Sequence, residues 1–169
     1  MNRVKIILTV IVCLISFGLY AQDAESLVKQ GKRANYQDKP DEAIELFNKA
    51  LELDPKFSDA YSGRAFAYYR KGDNARAISD YSRVIELDPT NADVYISRGS
   101  SYNDTEKYDL ALKDFNNAIE LEPENARAYN NRGWAKKWLG DKDGACKDWK
   151  KSKKLGNGEA KIILINNQC

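Results

Sequence analysis

The sequence predicts an all-α chain of tandem helical hairpins, and three observations predict it. A phrase that begins at Asp59, "DAYSGRAFAYYRKGD", returns at Asp93 as "DVYISRGSSYNDTEK" and at Arg127 as "RAYNNRGWAKKWLGD", always at the same interval. A second amphipathic stretch follows each phrase: "ARAISDYSRVIELDP", "DLALKDFNNAIELEP" and "DGACKDWKKSKKLGN". Only four prolines and ten glycines interrupt 169 residues that are 43% hydrophobic and 31% charged. That balance suits a folded chain of long regular elements better than a disordered one.

The segment 1–21 differs from the rest. Arg3 and Lys5 make a basic start, Ile6 to Leu19 runs apolar without a charge, and Leu19-Tyr20-Ala21 ends the run before Gln22 and Asp23. A basic head, a short apolar middle and a small residue at the cut are the layout of a secretory signal peptide. The run is short for a membrane span, which takes about 20 residues. The expectation is cleavage near Ala21 and a chain that is periplasmic or secreted, with a bacterial envelope favoured and no transmembrane span after cleavage. A retained anchor is the alternative, and the bulk of Leu19 leaves the exact cleavage site open. Cys13 sits inside the apolar run behind Val12, unlike a lipid-attachment cysteine at its end.

From Ala24 the chain tiles without insertion or deletion as 24–57, 58–91, 92–125 and 126–159. Stepping back from Asp59 gives the first tile, with "ESLVKQGKRANYQDK" and "DEAIELFNKALELDP". Ala65 with Tyr68, then Ala77, Tyr81 and Val84, recur at helical spacing. Pro55, Pro89 and Pro123 each follow an acidic residue at the end of a second helix. Proline cannot continue a helix and turns its predecessor away from helical geometry. Asn157, between Gly156 and Gly158, serves as the stop in the last tile. Small residues mark close helix approach: Gly31, Ala65, Gly99 and Gly133 in first helices, Ala43, Ala77, Ala111 and Ala145 in second helices. Phe47, Tyr81, Phe115 and Trp149 stand about one helical turn beyond those alanines to fill the space.

This pattern over 24–159 resembles the tetratricopeptide repeat (TPR) family, in four consecutive in-phase units. The resemblance implies a right-handed α-solenoid of helix–turn–helix repeats with a concave face lined by first helices. Stacking is physically required, since one helix pair cannot bury its apolar face alone. The fourth unit is worn: Lys136 replaces Tyr68 and Tyr102, and Ser152 replaces Ala50, Val84 and Ala118. Terminal repeats are commonly atypical. The tail, 160–169 with its "AKIILI", is expected to form a short capping helix; an extended segment is the alternative.

Catalytic chemistry is poorly provided for. The chain has no histidine, which removes Ser-His-Asp and Cys-His nucleophile pairs and the commonest metal ligand. No glycine-rich phosphate loop appears, and nothing in the sequence brings two carboxylates together. The expectation is no enzyme, no cofactor and no metal. Without the segment 1–21 the basic and acidic residues balance, because Arg3 and Lys5 are the only charges it carries. A neutral chain with an export signal argues against nucleic acid as partner.

Cys146 and Cys169 are the cysteines left after signal removal. In an oxidising compartment a bridge between them is the expectation, tethering the capping tail. Two free thiols are the alternative. Arg64, Arg98 and Arg132 recur at one position of the first helices, and Asp80, Asp114 and Asp148 at one position of the second helices in the same tiles. The first unit lacks both, with Gln30 and Leu46 in their places. Joint presence and joint absence predict structural ion pairs, an arginine fork on a carboxylate between packed helices. An arginine that grips a partner's carboxylate is the alternative.

The TPR resemblance also implies a binding groove lined by Val28, Lys32 and Asn35; Ser62, Phe66 and Tyr69; Ile96, Ser100 and Asn103; and Asn130, Trp134 and Lys137. Such a mixed surface suits an extended peptide or a helix, with Phe66, Tyr69 and Trp134 as anchors or, alternatively, as rings packed between repeats. One family version grips a peptide's terminal carboxylate with Lys, Asn and Arg; only Arg127 matches an expected basic position. Charge is polarised: acidic groups outnumber basic ones over 22–125, and basic groups outnumber acidic ones over 126–169. Lys147, Lys150, Lys151, Lys153 and Lys154 crowd one helix, as a docking patch or as a solvated end that offsets the helix dipole. The functional expectation is a non-catalytic, exported scaffold that binds a protein or peptide segment in its groove. The alternative is an architectural subunit of a cell-envelope assembly that contacts neighbours through its edges and basic C-terminal end. The oligomeric state stays open.

Overall fold

A computed structural model describes residues 24–169; the expected export signal, 1–21, lies outside the described residues. Among the described residues every regular element is a helix, and none is long and apolar enough to cross a membrane. The all-α class of tandem helical hairpins with a C-terminal capping helix is the one predicted.

The chain divides into two compact units, the first ending at Lys71 and the second beginning at Gly72. The division falls inside the tile 58–91, which gives its first helix to one unit and its second to the other. The first unit holds α1 (24–36), α2 (Pro40–Leu53) and α3 (Ser58–Arg70). Its core joins Val28 and Ala34 of α1, Ala43, Phe47 and Ala50 of α2, and Ala60 and Ala67 of α3. Phe47 is fully buried. A Cβ at Gly31 would meet its ring at 2.8 Å, and one at Gly63 would meet it at 2.2 Å. Glycine at both positions therefore lets two helices close on one ring.

The second unit runs α4 (Asn74–Leu87), α5 (Ala92–Asp104), α6 (Tyr108–Leu121), α7 (Ala126–Trp138), α8 (Lys142–Lys154) and α9 (Glu159–Asn166). Each helix packs on the next. Phe115 and Trp149 repeat the role of Phe47, against Gly99 and Gly133. Trp149 is 1% exposed and donates its indole N–H to the Asn130 carbonyl at 3.2 Å. Leu164 of α9 closes the end over Ala145 and Trp149.

Local chemistry sets the helix ends. Asp73, Asn91, Asn125 and Asp141 accept backbone N–H groups at the starts of α4, α5, α7 and α8, the ordinary N-cap role. Asp54 and Asp88, each before a proline, leave α2 and α4 in extended geometry, and Glu122 before Pro123 turns α6 out of helical geometry. The turn inside each hairpin uses one left-handed residue at the same place in every tile: Asp38, Gly72, Glu106 and Gly140, with φ of 60°, 75°, 59° and 89°.

Candidate protein-binding face

Helix register decides which of the groove residues reach the surface. In the first unit Lys32 is exposed and pairs with Asp59 at 2.6 Å. Asn35 is 9% exposed; its amide donates to the Gly63 carbonyl at 2.8 Å, while its Oδ1 is buried without a donor. Ser62 and Tyr69 are half-buried. Phe66 is 40% exposed, with the Arg70 guanidinium 5.8 Å above its ring. Arg70 in turn reaches Asp38 at 2.6 Å, and Lys71 pairs with Asp41.

In the second unit the face is polar around one aromatic. Ser100 accepts from the Asn131 amide at 3.1 Å and donates to the Ile96 carbonyl. Asn103 donates to the Asn131 carbonyl at 3.4 Å. The Oδ1 atoms of Asn103 and Asn130 are buried without donors. Trp134 stands edge-on to Trp149, ring centres 5.1 Å apart, and the Lys137 ammonium lies 5.0 Å over the Trp134 ring. Asn130, Trp134 and Lys137 follow one another at i, i+4 and i+7, so they share one stripe of α7.

Val28 and Ile96 correct the groove expectation. They are 3% and 0% exposed and belong to the cores around Phe47 and Phe115. The same register carries Ser62 and Asn130 in the other tiles, both half-buried. The apolar residues at this register are buried and the polar ones half-buried, with the Oδ1 of Asn130 itself buried.

The arginines are held inside the fold. Arg98 donates two hydrogen bonds to Asp114, at 2.8 and 2.7 Å, and a third to Ser82 Oγ at 2.9 Å. Arg132 donates two to Asp148, both at 2.8 Å, and a third to Asn116 at 2.7 Å. Hydrogen bonds to the carboxylates raise both guanidinium pKa values above the ordinary arginine value, against burial. Lys136 adds a second cation to Asp148 at 2.8 Å. Each fork thus spans two consecutive second helices, reaching the one after its own helix and the one before it. Three of the five N–H groups of each guanidinium, including the side-on fork, are thereby engaged inside the fold. Sequence reasoning missed the backward partners. Their signal was weak but present, since Asn48, Ser82 and Asn116 at that register are all small acceptors. Arg64 donates to Asn48 at 2.6 Å within the first unit; Asp80 is buried in α4 of the second. Arg127 pairs with Asp93 at 3.1 Å.

At the end of the chain the sulfurs of Cys146 and Cys169 stand at bonding distance, their Cα atoms 5.5 Å apart. That is the separation a disulfide takes. No cluster of three potential metal ligands occurs among the described residues.

These features define a class, that of helical-repeat proteins whose first helices present a mixed aromatic and amide face. Residues 28–92 match a family profile described as Tetratricopeptide repeat, and residues 99–140 match one described as TPR repeat. A crystal structure of MamA is 30% identical, with a TM-score of 0.76, over 82% of this chain and 81% of that one. A structure titled "First TPR of Spaghetti (RPAP3) bound to HSP90 peptide SRMEEVD" is 32% identical, with a TM-score of 0.69, over 71% of this chain and 95% of that one. MamA 41-end from Desulfovibrio magneticus RS-1 shares the fold at 21% identity, with a TM-score of 0.75 over 79% and 75% of the two chains. The search of curated proteins finds no match. The chain belongs to the tetratricopeptide repeat family, whose members are interaction modules for proteins and peptides.

Proposed function

We propose that this chain is an exported, non-catalytic scaffold that binds a peptide or protein segment on its first-helix face. The observation that carries the reading is the α7 stripe of Asn130, Trp134 and Lys137. Trp134 is fixed edge-on against Trp149 and capped by Lys137. An aromatic held in one pose loses little freedom on binding, which is what makes such residues anchors. Phe66, 40% exposed, offers a comparable ring in the first unit. The RPAP3 domain, similar in fold and sequence, is itself titled as a peptide complex, which supports peptide binding as the class of activity. Export follows from the layout of residues 1–21, and with it a Cys146–Cys169 bridge that holds α9 in place.

In-cell crosslinking identifies the partner, and Trp134→Ala then weakens its binding by about tenfold or more while the fold is kept. Unchanged binding in both Trp134→Ala and Phe66→Ala would move the contact to the edges and favour the architectural alternative, for which the lysine-rich end speaks. Mass measurement of the native protein with an alkylating reagent reports no free thiol in the oxidised chain; two labelled thiols remove the bridge and weaken the case for export.

A further inference from the structure

The C-terminal end carries a surface that a groove scaffold does not use. Lys150, Lys153 and Lys154 of α8 line a shallow recess of about 570 Å³ together with Lys161, Leu164 and Ile165 of α9. All four lysines are exposed. Among the described residues none of their ammonium groups is paired with a carboxylate. Ile165, which borders that recess, and Ile162, one helical turn before it on α9, are 68% and 63% exposed. Leu164 is 9% exposed and packs with Ala145 and Trp149, so α9 is seated on α8 and the isoleucines are the side it leaves in water.

The geometry points to this end as a docking surface for an anionic membrane, with the lysines on lipid phosphates and the two isoleucines in the acyl boundary. Three features favour a lipid surface over an acidic protein. The first is that the two isoleucines stay mostly in water, although Ile165 also borders the open recess. An exposed pair suits a yielding hydrocarbon boundary, whereas protein anchors fill or form fitted hollows. The second is the choice of cation. Every basic residue after Lys137 is lysine. The two-pronged grips on the buried carboxylates Asp114 and Asp148 are made by arginines, Arg98 and Arg132, with Lys136 adding only a single contact to Asp148. Lysine is a point charge without that directional preference, suited to a field of mobile headgroups. The third is the charge balance: basic groups far outnumber acidic ones over 126–169, so attraction to an anionic surface acts on this whole end.

The test is flotation with vesicles of phosphatidylcholine alone or with a third of phosphatidylglycerol, using the chain as recovered from cells, with residues 1–21 treated alike in every arm. The expected result is partitioning at least about tenfold stronger onto the anionic vesicles, reversed by added salt. Lys153→Glu with Lys154→Glu removes that preference. Ile162→Ser with Ile165→Ser weakens binding several-fold without changing the charge. An unchanged melting temperature in each variant separates lost docking from lost folding. Equal partitioning on both vesicle types overturns the proposal, as does insensitivity to the lysine pair. A chain that ignores both vesicles yet binds polyglutamate through the same lysines assigns the surface to an acidic protein and overturns it equally.

Discussion

The two units place different chemistry at the same register of the helical hairpin. In the first unit the α1–α2 hairpin holds Gln30 and Leu46 there: Leu46 packs on the core around Phe47, and Gln30 bonds back to Ser26 of its own helix. In the second it holds Arg98 with Asp114 and Arg132 with Asp148, buried bidentate pairs that also reach the preceding second helix. The same backbone therefore accepts an apolar contact or a charged one, provided both partners change together. A buried carboxylate without its arginine, or a leucine facing a guanidinium, satisfies neither.

The largest effect comes from breaking one partner of the charged version. Asp114 is 3% exposed and Arg98 has an 18% exposed side chain. Arg98→Ala strands a buried carboxylate and is expected to cost about 3–5 kcal/mol, read by urea unfolding. Copying the first unit, Arg98→Gln with Asp114→Leu, is expected to stay within about 1.5 kcal/mol of the parent. A double variant as unstable as the two single changes summed shows that the registers are not interchangeable.

A smaller effect distinguishes how each unit seats its ring. A Cβ at Gly63 would lie 2.2 Å from Phe47 Cζ, while the same repeat position in α7 is Asn131, whose amide reaches Ser100. Gly63→Ala is expected to cost about 1–3 kcal/mol from overpacking, less up to about 1 kcal/mol returned by helix propensity. Asn131→Ala, which removes one half-buried hydrogen bond, costs about 1 kcal/mol. No loss for Gly63→Ala in thermal unfolding, beside a loss for Asn131→Ala, would mean that the Phe47 ring swings aside freely and that Gly63 is not a packing requirement.

Much of this was legible in the sequence for a physical reason. The constant repeat period, the prolines after acidic C-caps and the small–aromatic spacing each report a backbone constraint, and backbone constraints are written in residue type. The forward Arg98–Asp114 and Arg132–Asp148 pairs were legible because both partners vanish together in the first tile. The backward bonds to Ser82 and Asn116 were not, because any small acceptor suffices there. Val28 and Ile96 were misplaced on the groove for a related reason: the register is only half-buried where it carries Ser62 or Asn130 and is buried where it is apolar, so position alone does not tell groove from core. Nor could sequence show that Trp134 rests on Trp149, since rings on two different helices meet only through the packing of α7 on α8.

The smallest effect lies in the turns. Asp38 in the first unit and Glu106 in the second occupy the left-handed position that Gly72 and Gly140 fill elsewhere, with φ of 60° and 59°. A side chain there carries a steric cost that glycine lacks, and glycine loses part of that gain to its greater freedom in the unfolded chain. Glu106→Gly is expected to raise stability by about 0.5–1 kcal/mol. Asp38→Gly relieves the same strain but releases Arg70, which Asp38 holds at 2.6 Å. Both groups of that pair are well exposed, so its loss offsets only part of the gain, about 0.2–1 kcal/mol at low salt and less at high salt. The two variants should therefore differ in dilute buffer and converge as salt is added. Identical shifts at every salt concentration would show that the Arg70 contact contributes nothing to the first unit and that its turn is governed by backbone geometry alone.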